Sequence, residues 1–315
     1  MNAPKECYDF ADLRRWREAT ADAAPPLRLS VFGDPVAHSA SPPMHNAALL
    51  KCGIQARYTR LHIRPDELGE ALRLLPAGGF IGTNLTIPHK AAALSLLDHI
   101  DEHARKIGAV NTVVVEGEKL TGFNTDGPGL VRAVRAEFGV DVRDLRVLVL
   151  GAGGGAGRAI ALQCAMEGCD RLVLVNRTFE KARLLANEME PYFKRTRLLG
   201  PVQRLEAIPW DDALLKNQLD RIDLVINATS LGMKRTDARL LPVAILSPNL
   251  LIYDTVYTAS RTPLLLAADE AGARGANGLS MLLYQGALSF EIWFGREAPV
   301  EEMRGALMKH AETAA

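Results

Sequence analysis

The chain of 315 residues carries no net charge, because Lys plus Arg and Asp plus Glu both number 37. That balance argues against nucleic acid or an anionic membrane surface as the main partner. Long apolar runs are missing too: Gly, Pro or charge interrupts each one, so no transmembrane helix is expected. Residues 1–20 (MNAPKECYDFADLRRWREAT) are charged throughout and lack the apolar stretch of a secretory signal. Cysteine is scarce. Cys7, Cys52, Cys164 and Cys169 show no C-x-x-C spacing, which predicts free thiols in a reducing cytoplasm rather than a disulfide or a bound metal. Repeats and low-complexity tracts are absent. What is there is 48% hydrophobic residues in a chain about twice the usual domain length, so two globular domains are predicted.

Strand and helix patterns alternate from residue 27 onward. LRLSVFG (27–33), ARYTRLHI (56–63) and GFIGTNLT (79–86) read as strands, and AVNTVVVEGEKLTGF (109–123) as a hairpin turning at Glu116 and Gly117. Helices are predicted from Ser41, where Pro42 and Pro43 suit a first turn, over 65–75, from Pro88 and over 127–138. Residues 1–27 look like an appendage, with a short amphipathic helix over 9–16 that puts Leu13 and Trp16 on one side. In the second half, RVLVLG (146–151) is apolar without alternation, as in a parallel strand covered on both faces. A helix over 156–166, the strand RLVLVN (171–176), a helix over 178–190 and strands near 202–208, 223–229 and 250–257 follow. Strands separated by helices imply right-handed crossovers and a doubly wound parallel sheet. The predicted fold class is α/β, with a Rossmann nucleotide-binding domain and an α/β substrate domain facing it across a cleft.

The glycine-rich turn GAGGGAG (151–157) sits between strand and helix, where Gly151, Gly153 and Ala156 satisfy G-x-G-x-x-A. The first glycine permits a tight turn, the second lets a pyrophosphate approach the backbone, and the small third residue lets the helix pack on the strand. At the end of the next strand an NAD site usually places a carboxylate for the ribose 2′-hydroxyl. This chain instead has Asn176, Arg177 and Thr178, with Lys181 one turn later. A guanidinium and short polar side chains suit a 2′-phosphate, so NADP is the expected cofactor. The alternative is that Asn176 to Thr178 only cap the helix that follows.

Upstream lie Lys90, in GTNLTIPHK (82–90), and Asp126, in GFNTDG (122–127). Such a lysine can give a proton to a carbonyl oxygen as hydride reaches the carbon. Such an aspartate can hold the lysine and read a neighbouring hydroxyl. Taken singly, each has a plainer alternative: a solvated lysine at a helix start, and an N-cap for the helix over 127–138. His38, His45 and His89 match no metal-ligand spacing and no Ser–His arrangement, so they are assigned to packing or hydrogen bonding, with no metal.

In this order the motifs resemble the shikimate dehydrogenase family, including the quinate/shikimate dehydrogenases, from about residue 28 to 310. VFGDPVAHSASPPMHN (31–46) is similar to the family's substrate-carboxylate motif and GTNLTIPHK to its catalytic-lysine motif. GAVNTV (108–113) and GFNTDG resemble its polyol-reading segments, and VNRT, INATSLGM (226–233), DTVY (254–257) and GLSMLLYQGA (278–287) complete the pattern. The resemblance implies NADPH-dependent reduction of 3-dehydroshikimate to shikimate in aromatic amino-acid biosynthesis. It implies that Ser39 and Ser41 bind the substrate carboxylate, that Thr86, Asn111, Asp126 and Gln285 read ring hydroxyls, and that Tyr257 closes the site. Lys90 becomes the acid/base. Gly151, Ala152, Gly153, Gly154, Gly155, Asn176, Arg177, Thr178, Lys181, Thr229, Thr255, Gly278 and Met281 surround NADP, and Glu102 approaches it.

Three departures accompany the resemblance. The glycine turn is one residue longer before Arg158, Ser280 stands where glycine is usual, and residues 1–27 lie outside it. The implied domains are 1–126 plus 279–315 for substrate and 127–278 for NADP, in a cytoplasmic monomer or homodimer. Quinate or aminoshikimate oxidation on the same scaffold is the nearest rival, and a non-catalytic NADP-binding sensor is the rival from another class.

Overall fold

The structure, a computed structural model, describes residues 5–194, 203–234, 236–257 and 261–313. The chain divides into two compact units, Met1–Gly129 with Leu282–Ala314, and Leu130–Met281.

The first unit begins with β1 (Cys7–Asp9), α1 (Phe10–Arg14), α2 (Trp16–Ala19), β2 (Leu27–Gly33), α3 (Ser41–Lys51), β3 (Arg57–His62) and α4 (Leu68–Gly78). It continues through β4 (Gly82–Leu85), α5 (His89–Ala92), β5 (His99–Ile100), α6 (Glu102–Ile107), β6 (Thr112–Glu116) and β7 (Lys119–Phe123) to the start of α7 (Asp126–Phe138). Its sheet runs β1-β3-β2-β4-β6-β7-β5. β1, β3, β2 and β4 are parallel neighbours, whereas β6 is antiparallel to both β4 and β7.

Residues 7–19 are no appendage. β1 pairs in parallel with β3, and Tyr8, Leu13 and Trp16 are buried in the same core as Phe32, Leu61 and Leu72. The Trp16 ring lies 5.1 Å from Tyr8 and 4.9 Å from Phe80. Burying a side chain such as Leu13 contributes roughly 1.5–3 kcal/mol, so the segment is held by packing. A three-residue strand shows too little alternation to be read from sequence. Two boundaries also differ from expectation. Glu116 pairs with Lys119, so the hairpin turns at Gly117 and Glu118, where the positive φ of 63° at Gly117 suits glycine. The helix predicted over 65–75 is shifted to Leu68–Gly78, ending on Gly79 in the left-handed conformation.

The second unit holds the rest of α7, then β8 (Arg146–Leu150), α8 (Gly155–Glu167), β9 (Arg171–Asn176), α9 (Phe179–Phe193), β10 (Leu205–Pro209), α10 (Asp212–Leu219) and β11 (Leu224–Asn227). β12 (Leu251–Asp254), α11 (Pro263–Glu270), β13 (Arg274–Asn277) and the first residues of α12 (Leu279–Phe294) follow. All neighbours in the sheet β10-β9-β8-β11-β12-β13 are parallel. Counted from β8, that is the 3-2-1-4-5-6 order of a doubly wound nucleotide-binding sheet, with its switch point between β8 and β11. Of the strand expected near 202–208, residue 202 lies outside the described residues and the rest starts at Leu205. The remainder of α12, with α13 (Val300–Thr313), belongs to the first unit, where α13 packs on α3.

Candidate active site

Lys90 and Asp126 meet in the first unit. Lys90 projects from the short α5, whose position is tied by the Lys90 carbonyl accepting from Val110 N at 2.8 Å. Asp126 opens α7, but Asn124 serves that helix start, its Oδ1 accepting from Asp126 N at 3.1 Å and Gly127 N at 3.4 Å. The carboxylate of Asp126 is thereby left for side chains. Lys90 Nζ donates to Oδ2 at 2.7 Å, and Asn111 Nδ2 donates to Oδ1 at 3.0 Å.

Asn111 lies in the segment entering β6. Its Nδ2 also lies 2.9 Å from Thr125 Oγ1 and 3.3 Å from Gln285 Oε1, while its Oδ1 accepts from Thr125 N at 2.8 Å. Gln285, on α12, is itself steadied by Nε2 donating to the Leu282 carbonyl at 2.8 Å. Four sequence-predicted residues, Lys90, Asp126, Asn111 and Gln285, thus form one hydrogen-bonded cluster.

Ser41 joins it by a route that sequence reasoning missed. The Ser41 side chain acts on the buried Tyr58 hydroxyl, drawing its pKa down against the larger upward push of burial. Tyr58 donates to Asn84 Oδ1 at 2.7 Å, and Asn84 Nδ2 reaches the Asn111 carbonyl at 3.0 Å, Thr112 Oγ1 at 3.1 Å and Ser289 Oγ at 3.0 Å. Tyr58, Asn84, Thr112, Thr125 and Ser289 are all buried. Burial pushes the Tyr58 hydroxyl well above the ordinary tyrosine range, so it stays a neutral donor. The available signal was Asn84, a polar residue in the middle of a wholly buried strand.

The other predictions fall as follows. Ser39 lies in the loop before α3, with its Oγ 3.3 Å from Ser41 N. Ser41 is the first residue of α3, whose N-cap is Ala40 with no side-chain cap, so the capping role is not taken by its hydroxyl. Thr86 follows β4, its N–H donating to the Phe32 carbonyl at 2.9 Å, and a Cβ on Gly33 would stand 2.5 Å from its methyl. No hydrogen bond joins the Thr86 side chain to the Lys90 cluster among the described residues. Glu102 is exposed and ion-paired with Lys106 at 2.6 Å, and Tyr257 lies in the second unit. His89 Nε2 lies 2.7 Å from the Ile63 carbonyl oxygen, and His45 stacks on Tyr58 with centroids 4.4 Å apart.

In the second unit the glycine turn spans the end of β8 and the start of α8. Gly151 has a φ of 83°, and a Cβ there would stand 2.6 Å from the Thr229 methyl. Ala152 is buried, and Gly154 and Gly155 are exposed at the helix start. Gly153 N donates to Asn176 Oδ1 at 3.2 Å, and a Cβ on Gly153 would fall within 2.8 Å of the Asn176 and Lys181 side chains. The small position on which the helix packs is Gly157 rather than Ala156, since a Cβ at 157 would overlap the Gly151 carbonyl oxygen.

Asn176 Nδ2 donates to the Thr178 carbonyl at 2.9 Å, shaping the corner that bears Arg177. Thr178 flanks α9 as its N-cap without a side-chain capping bond. Arg177 and Lys181 are exposed and form no ion pair among the described residues. Thr229 Oγ1 donates to Asn227 Oδ1 at 2.7 Å, and Thr255 N to the Asn227 carbonyl at 3.0 Å. Gly278 packs against the Thr255 backbone, and Met281 N donates to the Tyr253 hydroxyl at 2.9 Å. Ser280 uses its hydroxyl on the same tyrosine, at 2.9 Å.

A doubly wound sheet with this turn at its switch point, joined to a unit that presents a paired lysine and aspartate, defines a two-domain α/β protein of dinucleotide-binding type. Three family models match: "Shikimate dehydrogenase substrate binding domain" over 31–113, "Shikimate / quinate 5-dehydrogenase" over 132–235 and "Shikimate 5'-dehydrogenase C-terminal domain" over 278–308. The chain is 42% identical over 284 residues to the shikimate dehydrogenase (NADP(+)) of Methanopyrus kandleri, covering 90% of this chain and 95% of that one. The structure of shikimate 5-dehydrogenase from Thermus thermophilus in complex with NADP(H) and shikimate matches with a TM-score of 0.78 at 35% identity, covering 90% of this chain and 99% of that one. Quinate dehydrogenase from Corynebacterium glutamicum in complex with NAD matches with a TM-score of 0.77 at 28% identity, covering 90% and 99%. The chain belongs to the shikimate dehydrogenase family.

Proposed function

We propose that this protein catalyses the reversible NADPH-dependent reduction of 3-dehydroshikimate to shikimate, a step of aromatic amino-acid biosynthesis. The observation that carries the proposal is the Lys90 ammonium held 2.7 Å from Asp126 Oδ2, within a cluster that includes Asn111 and Gln285. The unit Met1–Gly129 with Leu282–Ala314 takes the substrate, and Leu130–Met281 takes the cofactor.

NADP fits the second unit. Gly153 offers bare backbone where a Cβ would fill the space beside Asn176 and Lys181, and Arg177 and Lys181, exposed and without ion pairs among the described residues, supply the charge that a 2′-phosphate needs. Bound NADPH supplies the hydride that the carbonyl carbon receives. Lys90 donates its proton to the carbonyl oxygen and takes one back in oxidation, while Asp126 and Asn111 keep the ammonium in line. Ser39 and Ser41 hold the carboxylate, and Thr86, Asn111, Asp126 and Gln285 read the hydroxyls. A cytoplasmic setting is part of the proposal, supported by the free thiols of Cys7, Cys52, Cys164 and Cys169.

The match to a quinate dehydrogenase keeps quinate as a second reading. Measured with NADP+, kcat/KM is expected to be highest for shikimate among shikimate, quinate and aminoshikimate. A preference for quinate would replace the first reading with the second.

A further inference from the structure

Arg60, on β3, turns its guanidinium toward the loop that carries Ser39. Its Nε and Nη2 donate to the Ser39 carbonyl oxygen at 3.0 Å and 2.7 Å, a fork closed on one peptide. Its Nη1 lies 3.5 Å from the Glu6 carbonyl oxygen, at the start of the N-terminal segment that precedes every family match. Among the described residues its hydrogen-bond partners are carbonyl oxygens, and no carboxylate forms an ion pair with it. Among the described residues the charge is therefore met by neutral dipoles and not by an ion pair. It also draws down the pKa of the Tyr58 hydroxyl, on which the Ser41 side chain acts in the same direction. A permanent cation is thus bound to the peptide of one of two serines that carry no charge of their own.

We propose that Arg60 is a positioning and selectivity residue for the substrate carboxylate. It fixes the Ser39 peptide so that the loop presents both serine hydroxyls to one anion, and its unpaired charge favours an acid over a neutral analogue. The inference rests on the assignment of Ser39 and Ser41 to the carboxylate. It gives the N-terminal segment a function as well, since the Glu6 carbonyl helps hold the guanidinium in place.

The test compares wild type, Arg60→Ala, Arg60→Lys and Ser41→Ala on 3-dehydroshikimate with NADPH, and on shikimate and its methyl ester with NADP+. Arg60→Ala is expected to raise KM for the two acids about 10-fold, the effect of losing one charge-assisted contact. Its kcat should fall less than about 3-fold, because the carboxylate does not react. KM for the methyl ester and for the nucleotide should hardly move. Arg60→Lys should recover part of the loss, because it keeps the charge without the fork. It also serves for the comparison if the alanine variant does not fold. An equal rise in KM for acid and ester, or a lower melting temperature with KM unchanged, overturns the proposal. If Ser41→Ala raises KM for the acids while Arg60→Ala does not, the role of Arg60 fails and the substrate assignment stands. If wild type fails to turn over 3-dehydroshikimate, both fall.

Discussion

Lys90 and Asp126 stand 36 positions apart in sequence and 2.7 Å apart from Nζ to Oδ2. Their side chains are 32% and 18% exposed, a degree of burial at which an ion pair contributes about 1 kcal/mol or less. Stability alone is a weak reason for the pairing. Asn111 holds the other carboxylate oxygen, so the ammonium is oriented as well as neutralised. An oriented ammonium beside a reacting oxygen stabilises developing negative charge and supplies the proton.

Replacing Lys90 with alanine should lower kcat about 10²- to 10⁴-fold, the usual contribution of a positioned acid/base. KM for NADPH should stay close to wild type, because the glycine turn belongs to the other unit. Steady-state kinetics on 3-dehydroshikimate decide this, and a kcat near wild type removes Lys90 from the mechanism.

Arg177 is exposed and free of ion pairs among the described residues, so its removal costs the free protein little. Arg177→Ala should raise KM for NADP+ by about 10- to 100-fold, corresponding to a charge-assisted contact worth ~1.5–3 kcal/mol. KM for NAD+, which lacks the phosphate, should barely change. Equal losses with both nucleotides would show that Arg177 serves the shared part of the cofactor or the fold.

The glycine turn separates two roles of glycine. A Cβ on Gly157 would overlap the Gly151 carbonyl oxygen, whereas one on Gly155 meets nothing within 4 Å. Gly157→Ala should therefore destabilise by roughly 1–3 kcal/mol, an overpacking cost, while Gly155→Ala should leave the apo-protein as stable as wild type or slightly more so. Thermal melts of the two variants without nucleotide give the comparison. Indistinguishable melting temperatures would mean that the turn relaxes around the added methyl.

His45 is fully buried, stacked on Tyr58, and neither ring nitrogen has a hydrogen-bond partner among the described residues. Burial without a compensating charge pushes its pKa down from 6.5 to about 3. Between those values the unfolded chain holds a proton that the native protein does not. Stability associated with His45 is therefore intact above about pH 6.5 and falls as pH drops toward 3, by about 1.4 kcal/mol per pH unit. In His45→Phe, which keeps an aromatic ring on Tyr58, that component of the acid slope should vanish. Urea melts at pH 7, 6, 5 and 4 measure it, and equal slopes in the two proteins would refute the assignment.

Local chemistry in the sequence determined much of this protein. The unbroken apolar run of β8 and β9 is legible because a strand covered on both faces needs no alternation. The glycine turn is legible because a tight turn between strand and helix demands particular residues within a few positions. The tertiary structure alone decided what depends on distant partners. β1 is three residues long and exists because β3 offers it an edge and Phe80 offers Trp16 a neighbour. Asn84 and Ser289, 205 positions apart, join the buried relay between Ser41 and Asn111. Hydrogen bonds of that kind leave no periodic trace in a sequence. Their geometry is set only when β4, β6 and α12 are packed, and an unpaired amide in that core would be too costly to leave. The shift of the packing glycine from 156 to 157 has the same origin, since which residue faces the Gly151 carbonyl is settled by where α8 docks on β8.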